Sequence, residues 1–93
     1  MLLSFRGKLA RRIFERQRCR ELDAGVERVA YRRLLILDAA VALGDLGSPP
    51  GNRLEKLRGD RKGQHSIRIN DQWRICFTWR EGNAHDVEIV DYH

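Results

Sequence analysis

Between Ser66 and Trp79 the chain alternates in character with a period of two. Ile67 and Ile69 alternate with Ser66, Arg68 and Asn70, then Trp73, Ile75, Phe77 and Trp79 with Arg74, Cys76 and Thr78. That is the period of an extended strand with one buried side, so the pattern predicts two strands, each with one greasy and one polar face. Asn70-Asp71-Gln72 joins them, and Glu81-Gly82-Asn83 leads into a last strand from about Ala84 to Asp91; both connections have compositions that tolerate tight hairpins. Upstream the period lengthens. Leu9, Ile13 and Phe14 share one face of a predicted helix from about Lys8 to Arg20. Val26, Ala30, Leu34, Leu37 and Val41 recur every three or four residues in a second predicted helix, with Arg28, Arg32 and Arg33 off that side. Asp23 can accept hydrogen bonds from free amides at its start, and it should run to about Leu43. Gly44, Gly47, Ser48, Pro49, Pro50 and Gly51 then end helical structure. Met1 to Phe5 is a short apolar entry suited to an edge strand.

These elements predict an α+β domain spanning residues 1–93, with two N-terminal helices packed on one face of a twisted, mainly antiparallel sheet. The opposite face is then left concave and polar, and function is expected there. With 93 residues the core must be small, while 42% hydrophobic and 33% charged residues are proportions of a folded domain rather than a disordered chain.

Charge narrows the partners. A net charge of +5 favours polyanions, nucleic acid first, because lysine and arginine near phosphate release condensed counterions. Arg6 to Arg20 carries seven basic residues against the single Glu15, and Arg53 to Arg74 seven against Glu55, Asp60 and Asp71, which suggests two separate basic surfaces or two solvated faces. The two cysteines, Cys19 and Cys76, lack the spacing of a redox or zinc motif. A reduced, cytoplasmic protein is the simplest reading, with no metal and no cofactor expected. The basic residues after Leu3 interrupt any apolar run long enough for a signal peptide or membrane span.

Several residues have chemistry suited to phosphodiester cleavage. Without a metal, that reaction needs a base for the 2′-hydroxyl, cationic donors for the phosphoryl oxygens and an acid for the departing 5′-oxygen. Arg74 alternates with Trp73 and Ile75, so it should project from the polar face, either to a scissile phosphate or to Glu88 or Asp86 across the sheet. Arg68 points away from Ile67 and Ile69 and is either a second phosphate clamp or an exposed edge residue. Tyr92 and His93 follow the last strand, where the residues read either as a disordered tail or as a chain end that delivers a phenol and an imidazole to the site. Glu55 precedes the basic run Arg58-Gly59-Asp60-Arg61-Lys62-Gly63 and is either a base beside cations or the partner of Arg53 or Lys56. His65 and His85 alternate with core residues and are read as structural.

Taken in order, SFRGK at the start, two helices, LRGDRKGQHSIRINDQWRICF and VEIVDYH resemble the HigB-type toxins of the RelE/ParE superfamily. The resemblance implies a RelE-like fold and a ribosome-dependent, metal-independent mRNA endonuclease that inhibits translation. It implies silencing by a helix-turn-helix, HigA-like antitoxin, with operator DNA contacted only through that antitoxin. Arg74 matches the family arginine that follows the strand tryptophan, and Tyr92 and His93 match its terminal pair. The family's basic-loop histidine falls where this chain has Glu55, and its further arginine falls near Arg68 without matching it, so the general base stays open between His93 and Glu55. Lys8, Arg11 and Arg12 of the first helix and Arg58, Arg61 and Lys62 of the basic turn are expected to grip ribosomal RNA. Two other readings share the scaffold: a ParE-like toxin acting on DNA gyrase without nuclease activity, and a basic nucleic-acid-binding accessory protein.

Overall fold

A computed structural model describes residues 1–48 and 50–91. Two helices, α1 (Leu9–Phe14) and α2 (Ala24–Ala39), precede four strands, β1 (Glu55–Lys56), β2 (His65–Arg68), β3 (Trp73–Arg80) and β4 (Asn83–Asp91). The strands form one antiparallel sheet in the order β1-β2-β3-β4. Short 3₁₀ turns at Leu43–Gly47, Pro50–Asn52 and Gly59–Arg61 shape the connection between helix and sheet. The α+β arrangement expected from the residue pattern is therefore observed.

The first helix is much shorter than its pattern suggests. It stops at Phe14 because Arg16 adopts a left-handed backbone, with φ 64°. The Arg16 and Gln17 amides then turn back to the carbonyls of Ile13 and Arg12, at 3.0 and 2.8 Å, which closes the helix end. A left-handed arginine is unfavourable by roughly 1–2 kcal/mol. The two hydrogen bonds offset that, as does the Arg16 guanidinium lying 4.3 Å over the centre of the Tyr31 ring. Glycine, the usual signal for such an ending, is absent from this position. The second helix begins as expected, the Asp23 carboxylate accepting from the Val26 amide at 2.8 Å. It ends at Ala39, so Val41 is not part of its buried stripe but 81% exposed in the following loop.

The helices bury Ala10, Ile13, Ala30, Leu34 and Leu37 against Ile67, Ile75, Phe77, Val87 and Ile89 of the sheet. Strand parity is as the alternation predicts, with one refinement. Between Cys76 and Thr78 the register of β4 slips by a residue, around a left-handed Asp86 with φ 52°. This bulge lets Ala84 and Val87 both reach the core despite their odd spacing, and it takes His85 out of the core alternation. Outside β4, Leu2 and Phe5 make parallel bridges to Ala84 and Val87, so the N-terminal segment covers the sheet edge. Glu81 and Gly82 both have positive φ, 51° and 77°, as a twisted two-residue hairpin requires.

His65 stacks on Phe77 with ring centres 6.2 Å apart, and its buried Nδ1 has no hydrogen-bond partner among the described residues. Burial, and secondarily Lys56, push its pKa below 6.5. The folded chain thus binds this proton less readily than the unfolded chain. Stability from His65 is present above about pH 6.5 and is lost as pH falls from there toward the depressed folded value. Urea unfolding at pH 7.5 and 5.5 should show a drop that His65→Phe flattens. Glu27 and Asp45, whose pKa values are lowered chiefly by backbone hydrogen bonds, add a separate loss as pH falls from the ordinary carboxylate values toward their lower folded values.

Candidate functional site

On the face of the sheet away from the helices, four side chains stand in one row across the strands. Glu55 pairs with Ser66, Ser66 with Cys76 and Cys76 with Glu88. The neighbouring row is Arg68, Arg74 and Val90. Parity alone puts these residues together, since Ile67 and Ile75 between them are committed to the core.

Arg74 occupies the centre of this face, as its position between Trp73 and Ile75 predicts, but it does not project freely into solvent. It is only 6% exposed. Its Nε donates to Ser66 Oγ at 2.8 Å and its Nη2 to the Arg53 carbonyl at 2.8 Å, while Nη1 stands 3.6 Å from Glu55 Oε1. The Arg53 carbonyl can reach over the sheet because Arg53 itself has a left-handed backbone, φ 45°. The cross-sheet partners weighed from the sequence, Glu88 and Asp86, are not those observed; Glu55 takes that place rather than pairing with Arg53 or Lys56. The Glu55 side chain is half exposed.

Glu88 instead accepts from Arg61 Nη1 at 2.8 Å and stands 3.9 Å from Arg6 Nε. Arg61 also donates to Gln64 Oε1 at 3.1 Å. The two basic segments of the sequence therefore meet at one carboxylate instead of forming wholly separate surfaces. Cys76 lies beneath them. Burial pushes its thiol pKa up, with smaller influences from Arg61, Glu88 and Arg74, so the sulfur stays protonated at neutral pH.

The structure gathers Arg74 and Glu55 and sets Arg61 on the same side of the sheet. Arg68 shares the face, opposite Arg74, but its guanidinium pairs with Asp71 of the following turn. Arg58 and Lys62 are exposed on either side of the Gly59–Arg61 turn, where Gly59 and Gly63 take positive φ values of 65° and 93°. Lys8, Arg11 and Arg12 are exposed on α1, within the helical layer, and are not brought to Arg74. Tyr92 and His93 lie outside the described residues. The strand leading to them ends with Val90 opposite Arg74 and Asp91 opposite Trp73.

Two contributors were not singled out from the sequence, Ser66 and the Arg53 carbonyl, and Glu88 was weighed only as a partner of Arg74 rather than of Arg61 and Arg6. The period of two places Ser66 on the Arg68 side and Glu88 opposite Val87 and Ile89, so parity was the available signal for both. Nothing in the local sequence marks Arg53, because its part depends on a backbone carbonyl. Removing the Ser66 hydroxyl leaves Arg74 Nε without that acceptor in a buried setting, a loss of about 1–3 kcal/mol. Ser66→Ala should lower the urea midpoint accordingly, whereas Glu55→Gln, at a half-exposed position, should shift it far less.

A family model described as the RelE-like toxin of type II toxin-antitoxin system HigB matches residues 3–93. Toxin HigB-1 of Vibrio cholerae is 45% identical over 85 residues, covering 90% of each chain. Endoribonuclease HigB of Proteus vulgaris is 34% identical over 94 residues, covering 100% of both. Among solved structures, the YoeB-YefM toxin-antitoxin complex from Staphylococcus aureus contains a chain that superposes with a TM-score of 0.63 at 18% identity, covering 100% of this chain and 98% of that one. At that identity the likeness concerns the fold.

Proposed function

The chain belongs to the HigB-like family of RelE-like toxins from type II toxin-antitoxin systems, and from that premise we propose that it is an endoribonuclease that cuts mRNA on the ribosome and so arrests translation. The observation that carries this reading is the buried, hydrogen-bonded Arg74 on the sheet face opposite the helices, in register with the strand end that leads to Tyr92 and His93. A guanidinium held in place by Ser66 and Arg53 needs no reorganisation when charge develops on a nearby phosphate. The Proteus vulgaris relative, named an endoribonuclease, supports the same assignment.

In the proposed reaction the 2′-hydroxyl loses its proton, its oxygen bonds to the adjacent phosphorus, and the bond from phosphorus to the 5′-oxygen breaks. The products are a 2′,3′-cyclic phosphate, which can open to a 3′-phosphate, and a 5′-hydroxyl. His93 and Glu55 share the proton transfers. Arg74, joined by Arg68 on leaving Asp71, stabilises the phosphoryl oxygens, and Tyr92 orients the phosphate or stacks on a base. No metal or cofactor enters this scheme.

Lys8, Arg11, Arg12, Arg58, Arg61 and Lys62 supply phosphate contacts to ribosomal RNA in this reading. A helix-turn-helix, HigA-like antitoxin is the proposed silencing partner, and the cytoplasm the proposed site of action. No helix among the described residues is long and apolar enough to cross a membrane.

The test is translation-coupled cleavage of a defined mRNA. Arg74→Lys keeps a positive charge but loses the paired donors, and should lower kcat by about 100-fold or more, a loss of about 2.7 kcal/mol in transition-state stabilisation. His93→Gln should lower kcat at least as far as the 10²-fold lower end of general acid–base contributions. Cleavage by both at the wild-type rate excludes this mechanism. Ribosome binding should also weaken steeply between about 50 and 200 mM salt, as expected when several phosphates are neutralised.

A further inference from the structure

Glu88 is a carboxylate on a face that, in the reading above, must receive a polyanion. Left alone there, it would repel the substrate. It is 16% exposed and lies between cations from two distant parts of the chain, Arg61 of the Gly59–Arg61 turn and Arg6 of the N-terminal edge segment. Two positive charges and one negative leave this group net cationic, so the carboxylate moderates the local field without reversing it.

Its geometric effect is larger. Arginine side chains carry about 2 kcal/mol of rotamer entropy that is lost when they are held in one place. Arg61 has lost much of that freedom before any ligand arrives: Glu88 accepts at 2.8 Å, Gln64 accepts at 3.1 Å, and the side chain is 34% exposed. Glu88 can perform this task because β4 pairs it with Cys76, next to the row containing Arg74. Cys76 pairs with Ser66 on one strand and Glu88 on the other, so the residue that holds Arg74 and the residue that holds Arg61 flank the same buried side chain.

We infer that Glu88 is a positioning residue that holds Arg61 on the Arg74 side of the sheet, so that Arg61 forms the second fixed phosphate contact for bound RNA. The inference rests on the endoribonuclease reading of the Arg74 site. Glu88 itself touches no reacting atom, and its removal should act through Arg61 on binding rather than on the chemical step.

The experiment is a double-mutant cycle on purified protein, read in two ways: kcat and KM of translation-coupled cleavage, and the Kd for programmed ribosomes. Glu88→Ala should raise KM and Kd about tenfold while kcat stays within about twofold. Glu88→Gln keeps an acceptor for Arg61 and should recover both to within about threefold of wild type. Arg61→Ala should match Glu88→Ala, and the Arg61→Ala/Glu88→Ala double variant should bind no worse than Arg61→Ala alone, because the two act as a unit. Should Glu88→Ala fail to fold, Glu88→Leu, similar in bulk and without an acceptor, takes its place in the cycle.

Unchanged KM and Kd in the Glu88 variant overturn the inference, as do losses that simply add to those of Arg61→Ala. A role confined to stability would lower the melting temperature with no coupling in Kd, which also overturns it. Failure of the underlying reading shows differently: Arg74→Lys and His93→Gln would leave kcat unaltered, whereas the Glu88–Arg61 coupling is still measurable as ribosome affinity.

Discussion

A buried guanidinium must be satisfied, and the polar side of this protein is organised around that requirement. An unpaired charge in a protein interior costs several kcal/mol, more than a domain of this size can spare. Arg74 is held and covered by a hydroxyl from β2, a carbonyl from the turn at Arg53 and the nearby carboxylate of Glu55. Each partner constrains a different piece of backbone. Ser66 requires β2 to hold its register against β3, Arg53 requires a left-handed residue before β1, and Glu55 requires a strand of only two residues to join the sheet edge. The connection between the second helix and the sheet is thereby drawn over Arg74.

The opposite face imposes the complementary condition. Ile67, Ile75 and Phe77 are fully buried, each contributing roughly 1.5–3 kcal/mol by leaving water. A slip of one residue in either strand would turn that strand's apolar set outward and place its arginine, Arg68 on β2 or Arg74 on β3, beneath the helices. Core packing therefore fixes which side of the sheet carries the cations. The bulge at Asp86 serves the same end along β4, restoring the inward direction for Ala84 while leaving Glu88 on the polar side next to Cys76.

These relations explain which features could be read from the residues and which could not. Strand parity depends only on the local alternation, so the sides taken by Ile75 and Arg74 follow from sequence directly. The Asp23 cap is equally local, one side chain meeting an amide three residues on. The end of α1 is not: Arg16 lacks the glycine signature, and its left-handed backbone is supported by Tyr31 from another helix. The cover over Arg74 escapes for a related reason, since it comes from a backbone carbonyl 21 residues away. Likewise, the two basic stretches look separate along the chain, yet Arg6 and Arg61 converge because the N-terminal segment runs alongside β4.

Under the proposed function, RNA has to be received by a site that is already charge-paired. Arg74 has Glu55, Arg61 has Glu88 and Arg68 has Asp71, so these arginines offer less unmatched charge than their number suggests. In the proposed function their contribution to a phosphate is chiefly direction: planar donors whose positions are set before the ligand arrives. In that proposal, affinity at a distance comes from elsewhere, from the net charge of +5 and from exposed residues such as Lys8, Arg12, Arg58 and Lys62. Solvated cations of that kind act through counterion release, which is insensitive to exact geometry. The division is physically economical. As proposed, surface charge that would be too mobile to organise a transition state brings the polyanion near, and paired charge too neutralised to attract it from afar sets its final orientation.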